Sequence, residues 1–352
     1  MRKGVNPTKG GKLISKEECH HRVIIPVHIP NEEGYFKDAY KIFELCLFSV
    51  IKTAVSKIKI SVISNKCCDE VNVKLFHLYE QKYINELIIE QDGIGKINSV
   101  LKAIRTSEER LITITDADVL FLNNWENEVA NIFKAFPKAG AVCPVPVYRK
   151  HLDLTGNIWF DNFFSKNLQF RPVKNPNALE MFAKSVGWEY LEPDWKDVIG
   201  TIKAKNDTIA VLGCSHFVAT YKREVFEELP KENSIYLVDG NSEFLYTDEP
   251  VLKMGGYRLA TNDNFAYHLG NVFEDWMQNE FSSLTTVEKS IIDYSHFRKL
   301  KKSLFNYFIT EKVFKRIFKS KFVLRKILKY KGLTNEQFAN FTNKWIPKSK
   351  GV

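Results

Sequence analysis

The chain has 352 residues, of which 44% are hydrophobic and 26% charged, a globular composition long enough for a catalytic core and one appendage. With 51 Lys and Arg against 42 Asp and Glu it carries a formal net charge of +9, and much of the excess lies near the C-terminus. There is no low-complexity tract, no long uncharged apolar stretch to cross a bilayer, and no apolar centre after Met1, Arg2 and Lys3 to make a signal peptide, so a protein that stays where it is made is expected.

In chain order, residues 1–20 read as an N-terminal extension. Val23-Ile24-Ile25-Pro26-Val27 follows as a first strand. Tyr40, Phe43, Leu47, Val50, Ile51 and Ala54 recur at helical spacing, which predicts an amphipathic helix covering one face of a sheet. Residues 58–63 give a second strand and Val71, Leu75 and Leu78 a second helix. Leu87-Ile88-Ile89 gives a third strand and Ile97, Val100, Leu101 and Ile104 a third helix. Leu111-Ile112-Thr113-Ile114-Thr115 is the fourth strand. Such alternation of β-branched runs and helical periodicity predicts βαβ units, hence an α/β fold with a mostly parallel sheet flanked by helices. Residues 141–148 predict one more strand, and residues 150–206, rich in Trp, Phe and Asn with poor periodicity, read as loops and short helices capping a cleft or as a packing insertion.

Asp116-Ala117-Asp118 closes the fourth strand. Side chains two apart in an extended chain share a face, so both carboxylates can converge on one hard cation, Mg²⁺ or Mn²⁺. Ligands of open α/β sheets bind beyond the carboxyl ends of the strands, where this pair would sit. The competing reading is a solvated turn or helix N-cap, since Asn123, Asn124 and Trp125 follow. Cys19, Cys46, Cys67, Cys68, Cys143 and Cys214 have neither Cys-x-x-Cys spacing nor the density of a disulfide scaffold, which reads as reduced thiols in a cytoplasmic setting. Cys19-His20-His21 lacks the second pair of a tetrahedral zinc site.

Over roughly residues 22–271 the chain resembles GT-A glycosyltransferases of the family 2 type. The resemblance rests on the Val23–Val27 strand, Gly95-Lys96-Ile97-Asn98, Asp116-Ala117-Asp118, and a late block with Gly213, Thr247-Asp248-Glu249 and His268, in that order. It implies a Rossmann-like GT-A domain over residues 21–279 and transfer of a sugar from a nucleotide-sugar donor, UDP-linked, to a saccharide or lipid-linked glycan. It implies Mn²⁺ or Mg²⁺ held by Asp118 with Asp116 nearer the nucleotide, and His268 as a further ligand. Pro26, Val27 and Asn65 would then lie by the nucleoside, and Lys96 and Asn98 by the phosphates, although the family commonly carries Gly-x-x-x-Ala-Arg-Asn there. Gly213-Cys214-Ser215-His216 would be the turn that admits the acceptor sugar. Asp248, with Glu249 close behind, would be the base of an inverting transfer; the short spacing from Asp248 to Gly256-Tyr257 leaves a retaining one open. Apart from the resemblance, Val27 and His268 need no ligand, Asn65 suits a turn, and Asp248-Glu249-Pro250 suits a helix start.

Residues 280–352 read as a separate basic helical region. From His296 to Lys331, Lys and Arg far outnumber acids and alternate with Phe305, Phe308, Phe314, Phe318 and Phe322. That pattern predicts basic amphipathic helices, either lying on an anionic membrane at the inner face or packed on the core with a solvated side. No nucleic acid is expected as a partner, for lack of a binding fold. The alternatives to glycosyl transfer are a sugar nucleotidyltransferase, whose Gly-rich loop this chain replaces with Val27-His28-Ile29-Pro30, and a silent membrane- or nucleic-acid-binding protein.

Overall fold

The β-branched runs of the first half become strands where the sequence placed them. The computed structural model describes Gly4 and residues 19–148, 150–188, 191, 193–238, 240–294 and 297–342. Most of the expected extension, His296 at the head of the basic run, and residues 343–352 lie outside the described residues. Strands β1 (His21–Val27), β2 (Ile58–Asn65), β3 (Glu86–Glu90) and β4 (Leu111–Thr115) alternate with helices α1 (Ala39–Thr53), α2 (Asp69–Glu80) and α3 (Lys96–Arg105). They pair in parallel in the order β3-β2-β1-β4, which aligns the carboxyl ends of all four on one edge.

The sheet continues through elements of a different character. β5 (Val119–Phe121), α4 (Trp125–Ala135) and β6 (Ala139–Cys143) lead into α5 (Gly156–Asp161), β7 (Leu168–Pro172), α6 (Pro176–Ser185), α7 (Pro193–Asp197), β8 (Val198–Lys203), β9 (Ile209–Leu212) and β10 (Val218–Lys222). Then come α8 (Glu249–Lys253), β11 (Tyr257–Thr261), β12 (Ala266–His268) and α9 (Asp275–Ser283). Ten strands form one sheet in the order β3-β2-β1-β4-β10-β6-β11-β9-β8-β7, while β5 and β12 pair apart from it. Beyond β4, the β4–β10, β10–β6, β11–β9, β9–β8 and β8–β7 pairs are antiparallel and β6–β11 alone is parallel. The fold is α/β as expected, but the sheet is mixed rather than mostly parallel: β8 and β9 are joined by a short link, and the other antiparallel neighbours pair without the repeated βαβ crossover of the first half.

Two further expectations change. β6 stops at Cys143, before Pro144 and Pro146, which have no N–H to give a ladder. The aromatic stretch after residue 150 contains two paired strands, β7 and β8, besides short helices. The C-terminal part forms α10 (Leu304–Tyr307), a π-helical turn (Phe308–Val313), a 3-10 turn (Phe314–Lys319), α11 (Lys321–Tyr330) and α12 (Asn335–Thr342). Ile327, Leu328, Leu333 and Phe338 of this part belong to the same apolar cluster as the sheet.

That cluster holds the edge in place. α1 buries Phe43, Leu47 and Val50, and α3 buries Val100 and Ile104, in one apolar cluster with the fully buried residues of β1, and α3 packs on β1 and β2. Each large side chain so placed contributes about 1.5–3 kcal/mol. At the opposite end of β1, Glu126 of α4 lies 2.7 Å from His21 Nδ1 and accepts hydrogen bonds from Val55 N at 2.7 Å, Ser56 N at 2.8 Å and the Ser56 hydroxyl. Burial opposes the charge of this carboxylate, yet the His21 and Ser56 contacts outweigh it and bring its pKa down to about 2. Replacing Glu126 with Ala leaves these donors buried and unpaired. Chemical denaturation of Glu126→Ala is expected to show a loss of about 3 kcal/mol or more, since several buried donors lose a charged acceptor at about 1–3 kcal/mol each, and a loss near zero would remove the network from the account of stability.

Candidate active site

The ends of β1, β2 and β4 and the start of α3 enclose a cleft of about 820 Å³ lined by Pro26, Val27, Asn65, Lys96, Asp116 and Asp118. Its roof is the segment holding Leu237 and Val238. Gly95 makes the join possible. Its φ of +85° lies in the left-handed region, and a Cβ there would sit 2.7 Å from the Leu237 carbonyl oxygen. Lys96 N donates to that same oxygen at 3.1 Å. Asn65 Oδ1 accepts from Ile94 N at 2.8 Å, so its side chain shapes the cleft wall through the loop before α3.

The small β5–β12 pair brings His268 to the acidic triplet. His268 pairs with Val119 in antiparallel register, and Leu269 N donates to the Asp118 carbonyl at 2.7 Å. His268 Nε2 thereby comes to 3.4 Å from Asp118 Oδ2, while Asp118 Oδ1 is buried without a hydrogen-bond partner among the described residues. Burial pushes the Asp118 carboxyl up, opposed by His268 and reinforced by Asp116.

A second cleft of about 690 Å³ meets the first at Lys96, Asp116 and Glu243, and is walled by Tyr148, Phe182, Trp188, Trp195 and Phe217. A row of alternating charges runs along the junction. Lys96 Nζ lies 2.6 Å from Asp116 Oδ1 and 2.8 Å from Glu243 Oε1; Glu243 Oε2 lies 3.2 Å from His216 Nδ1; His216 Nε2 lies 2.6 Å from Asp248 Oδ2; and Asp248 Oδ1 lies 2.6 Å from Arg258 Nη2. Burial works against the charges of Lys96, His216, Glu243 and Arg258. For Lys96, Asp116 and Glu243 outweigh burial and raise the ammonium pKa. For His216 the carboxylates of Asp248 and Glu243 outweigh it and raise the imidazole from 6.5 to about 9. For Glu243, contacts with His216 and Lys96 outweigh it and lower the carboxyl to about 2. The last link is a charge contact rather than an aligned hydrogen bond, since Asp248 Oδ1 and Arg258 Nε and Nη1 are buried with no hydrogen-bond partner among the described residues.

Of the residues singled out in the sequence, Pro26, Val27, Asn65, Lys96, Asp116 and Asp118 come together in the first cleft, and His268 faces the second beside them. Asn98 does not join them. Its amide donates to the Ile94 and Ser234 carbonyls, both at 2.8 Å, and its Oδ1 accepts from Ser234 N, which occupies it in holding the roof segment. Glu249 is also elsewhere, bound to Lys253 Nζ at 2.8 Å and to the Tyr307 hydroxyl at 2.8 Å. Asp248 is 1% exposed and reaches the cleft only through His216, so it does not stand open to an acceptor hydroxyl as the sequence suggested. Glu243, His216 and Arg258 were missed as charged partners. The available signal was that Glu243 precedes Asp248 by five residues in a helix-like stretch, which the π-helical turn Phe244–Asp248 turns into a shared contact with His216.

Asp118 and His268 fit a divalent cation as oxygen and nitrogen donors, and the orphaned Asp118 Oδ1 is an acceptor such an ion would satisfy. Asp116 is committed to Lys96. Among the described residues no group of three or more His, Cys, Asp or Glu could enclose a metal ion, so ligand or water oxygens would complete its shell.

No family model and no curated protein matches the chain. Solved structures do. A mannosyltransferase from Pyrobaculum calidifontis in complex with GDP-Man and Mn²⁺ is 19% identical over 70% of this chain and 55% of that one, with a TM-score of 0.39. S. aureus TarS 1-349 is 11% identical over 70% of this chain and 59% of that one, with a TM-score of 0.41, and its complex with UDP is 12% identical over the same shares, with a TM-score of 0.38. The chain thus spans between half and three-fifths of these chains. Likenesses this distant carry none of the site assignments. Fold and site by themselves define an α/β protein with two joined clefts at the carboxyl edge of its parallel strands.

Because the folded His216 pKa of about 9 exceeds the ordinary 6.5, its contribution to stability is complete below about 6.5 and is lost as pH rises through about 9. Imidazole NMR titration is expected to give a midpoint near 9 that drops in Asp248→Asn. A midpoint near 6.5 in the unsubstituted protein would break the row at its centre.

Proposed function

We propose that the chain is a metal-dependent glycosyltransferase of GT-A type that moves a sugar from a nucleotide-sugar donor, UDP-linked, to a saccharide acceptor, free or lipid-linked, with inversion. The observation that carries this reading is the meeting of two clefts at Lys96, Asp116 and Glu243, the first lined by Asp118 with its orphaned oxygen, the second by His268, 3.4 Å from Asp118, and by aromatic rings suited to sugar faces. In this reading Pro26, Val27 and Asn65 border the nucleoside, and Asp118 and His268 hold Mn²⁺ or Mg²⁺. Bound there, the cation supplies positive charge against the leaving diphosphate.

The chain's own residues do the rest. Lys96 is already a cation at the junction and offers a point charge to a phosphate oxygen, releasing Asp116 toward the donor. The acceptor hydroxyl attacks the anomeric carbon as the carbon–diphosphate bond breaks, and its proton passes to a carboxylate. Glu243 lines both clefts, as Asp116 does, and while Asp116 turns toward the donor Glu243 stays ionised at neutral pH, its base strength rising as Lys96 turns to phosphate. Asp248 acts through His216, holding it charged and oriented beside Glu243.

A thermal-shift series with UDP, with and without Mn²⁺, tests the reading. Stabilisation is expected only with both, amounting to about 2.7 kcal/mol at a hundredfold excess over Kd, and is expected to vanish in Asp118→Asn. An equal shift in chelator, or in Asp118→Asn, would refute the metal-bound donor. Formation of a nucleotide-sugar from a sugar phosphate and UTP would favour the nucleotidyltransferase alternative.

A further inference from the structure

Two segments far apart in the chain build one exposed aromatic ridge. Phe160 of α5 and Phe163 just after it both meet Phe314 edge-on, with ring centroids 5.3 and 5.7 Å apart, and Phe163 meets Phe164 in the same way at 5.1 Å. Tyr330, at the end of α11, donates its hydroxyl to the Phe164 carbonyl at 3.4 Å. The rings at the surface are left bare: Phe164 is 84% exposed, Tyr330 60% and Phe160 44%. Lys331 fastens the two segments, since its buried ammonium donates to the carbonyls of Asn162 at 3.2 Å and Ser165 at 2.7 Å. Gly156 permits the same closeness at the start of α5, where a Cβ would lie 2.7 Å from the Thr310 carbonyl oxygen. This is a built surface, not a frayed tail.

The ridge carries unbalanced charge. Between residues 304 and 331 the sole acid is Glu311, and Lys315 holds it at 3.1 Å. Arg316, Lys319, Lys321, Lys326 and Lys329 are exposed, and none has a carboxylate within ion-pair distance among the described residues. Phe322, 67% exposed, lies under the Lys326 ammonium at 4.3 Å, with exposed Val323 beside it. Interleaved cations and bare rings match the boundary layer of a bilayer, where rings enter the acyl edge and ammonium groups meet lipid phosphates. A nucleic-acid backbone would satisfy the cations but offer Val323 and the bare ring faces no apolar partner. In the chain, α5 begins three residues after Asp153, which lines the second cleft.

We propose that the surface formed by α5, the turn after it and residues 314–330 docks the protein on a bilayer containing anionic lipid. The docking stands apart from the glycosyltransfer reading, because it needs neither metal nor donor. Where that reading also holds, docking brings the protein to the surface that would carry a lipid-linked acceptor.

Co-sedimentation of the full chain with phosphatidylcholine vesicles, with and without phosphatidylglycerol, tests the proposal. Binding is expected on the anionic vesicles only and is expected to weaken as salt rises. The quadruple variant Arg316→Gln, Lys319→Gln, Lys326→Gln, Lys329→Gln should bind at least ~100-fold more weakly, given the contribution of each cation near an anionic surface. Phe164→Ser with Tyr330→Ser should bind about tenfold more weakly, through lost ring burial. All six positions are exposed, and unchanged circular dichroism and melting would show that the variants fold. Equal binding to both vesicle types, full binding by the quadruple variant, or preference for single-stranded RNA over the anionic vesicles would overturn the proposal.

Discussion

Everything at the junction of the two clefts depends on a single cation shared between two carboxylates. Lys96 opens α3, so its backbone is set by Gly95 and the roof segment, while its ammonium reaches Asp116 at the end of β4 and Glu243 just before the π-helical turn. Without it, two carboxylates would face one another across a cleft with nothing between them. With it, the parallel half of the sheet, which carries the acidic triplet, is tied to the antiparallel half, which carries His216 and Arg258. Asp116 N also donates to the Phe217 carbonyl at 2.7 Å, so backbone and side chain bridge the same seam.

The row beyond Lys96 extends that constraint inward. Burying Arg258 and Asp248 together is costly, and the pair persists because each supplies the other's countercharge while His216 takes the remaining Asp248 oxygen. Removing any member would leave its neighbours with unbalanced charge in a poorly solvated place. The arrangement suits a reaction in which charge must shift between a leaving phosphate and an acceptor proton, since opposite charges already stand in line and need little rearrangement.

How much of this was legible in the sequence follows from the range of the forces involved. β1 to β4 and the helices between them repeat local patterns, so their period and order show directly, and with them the edge where Pro26, Asn65, Asp116 and Asp118 meet. His268 was singled out by resemblance alone, and the three-residue strand pair that sets it beside Asp118 is too short to leave a pattern of its own. The antiparallel half escaped because strands that are neighbours in the sheet, such as β4 and β10 or β11 and β9, are far apart in the chain and repeat no common unit. Asn98 and Glu249 were misplaced for a common reason: each has strong partners nearby, Ser234 and Lys253, that only packing reveals. Glu243, His216 and Arg258 could not be joined from pattern alone, since Lys96 and Glu243 lie 147 residues apart.

The claim that one shared ammonium couples the two halves can be measured by a double-mutant cycle of Lys96→Met and Glu243→Gln, read as unfolding free energy in denaturant. A coupling of about 0.5–3 kcal/mol, the range for residues in direct contact, is the predicted result. Strict additivity of the two substitutions would contradict the account.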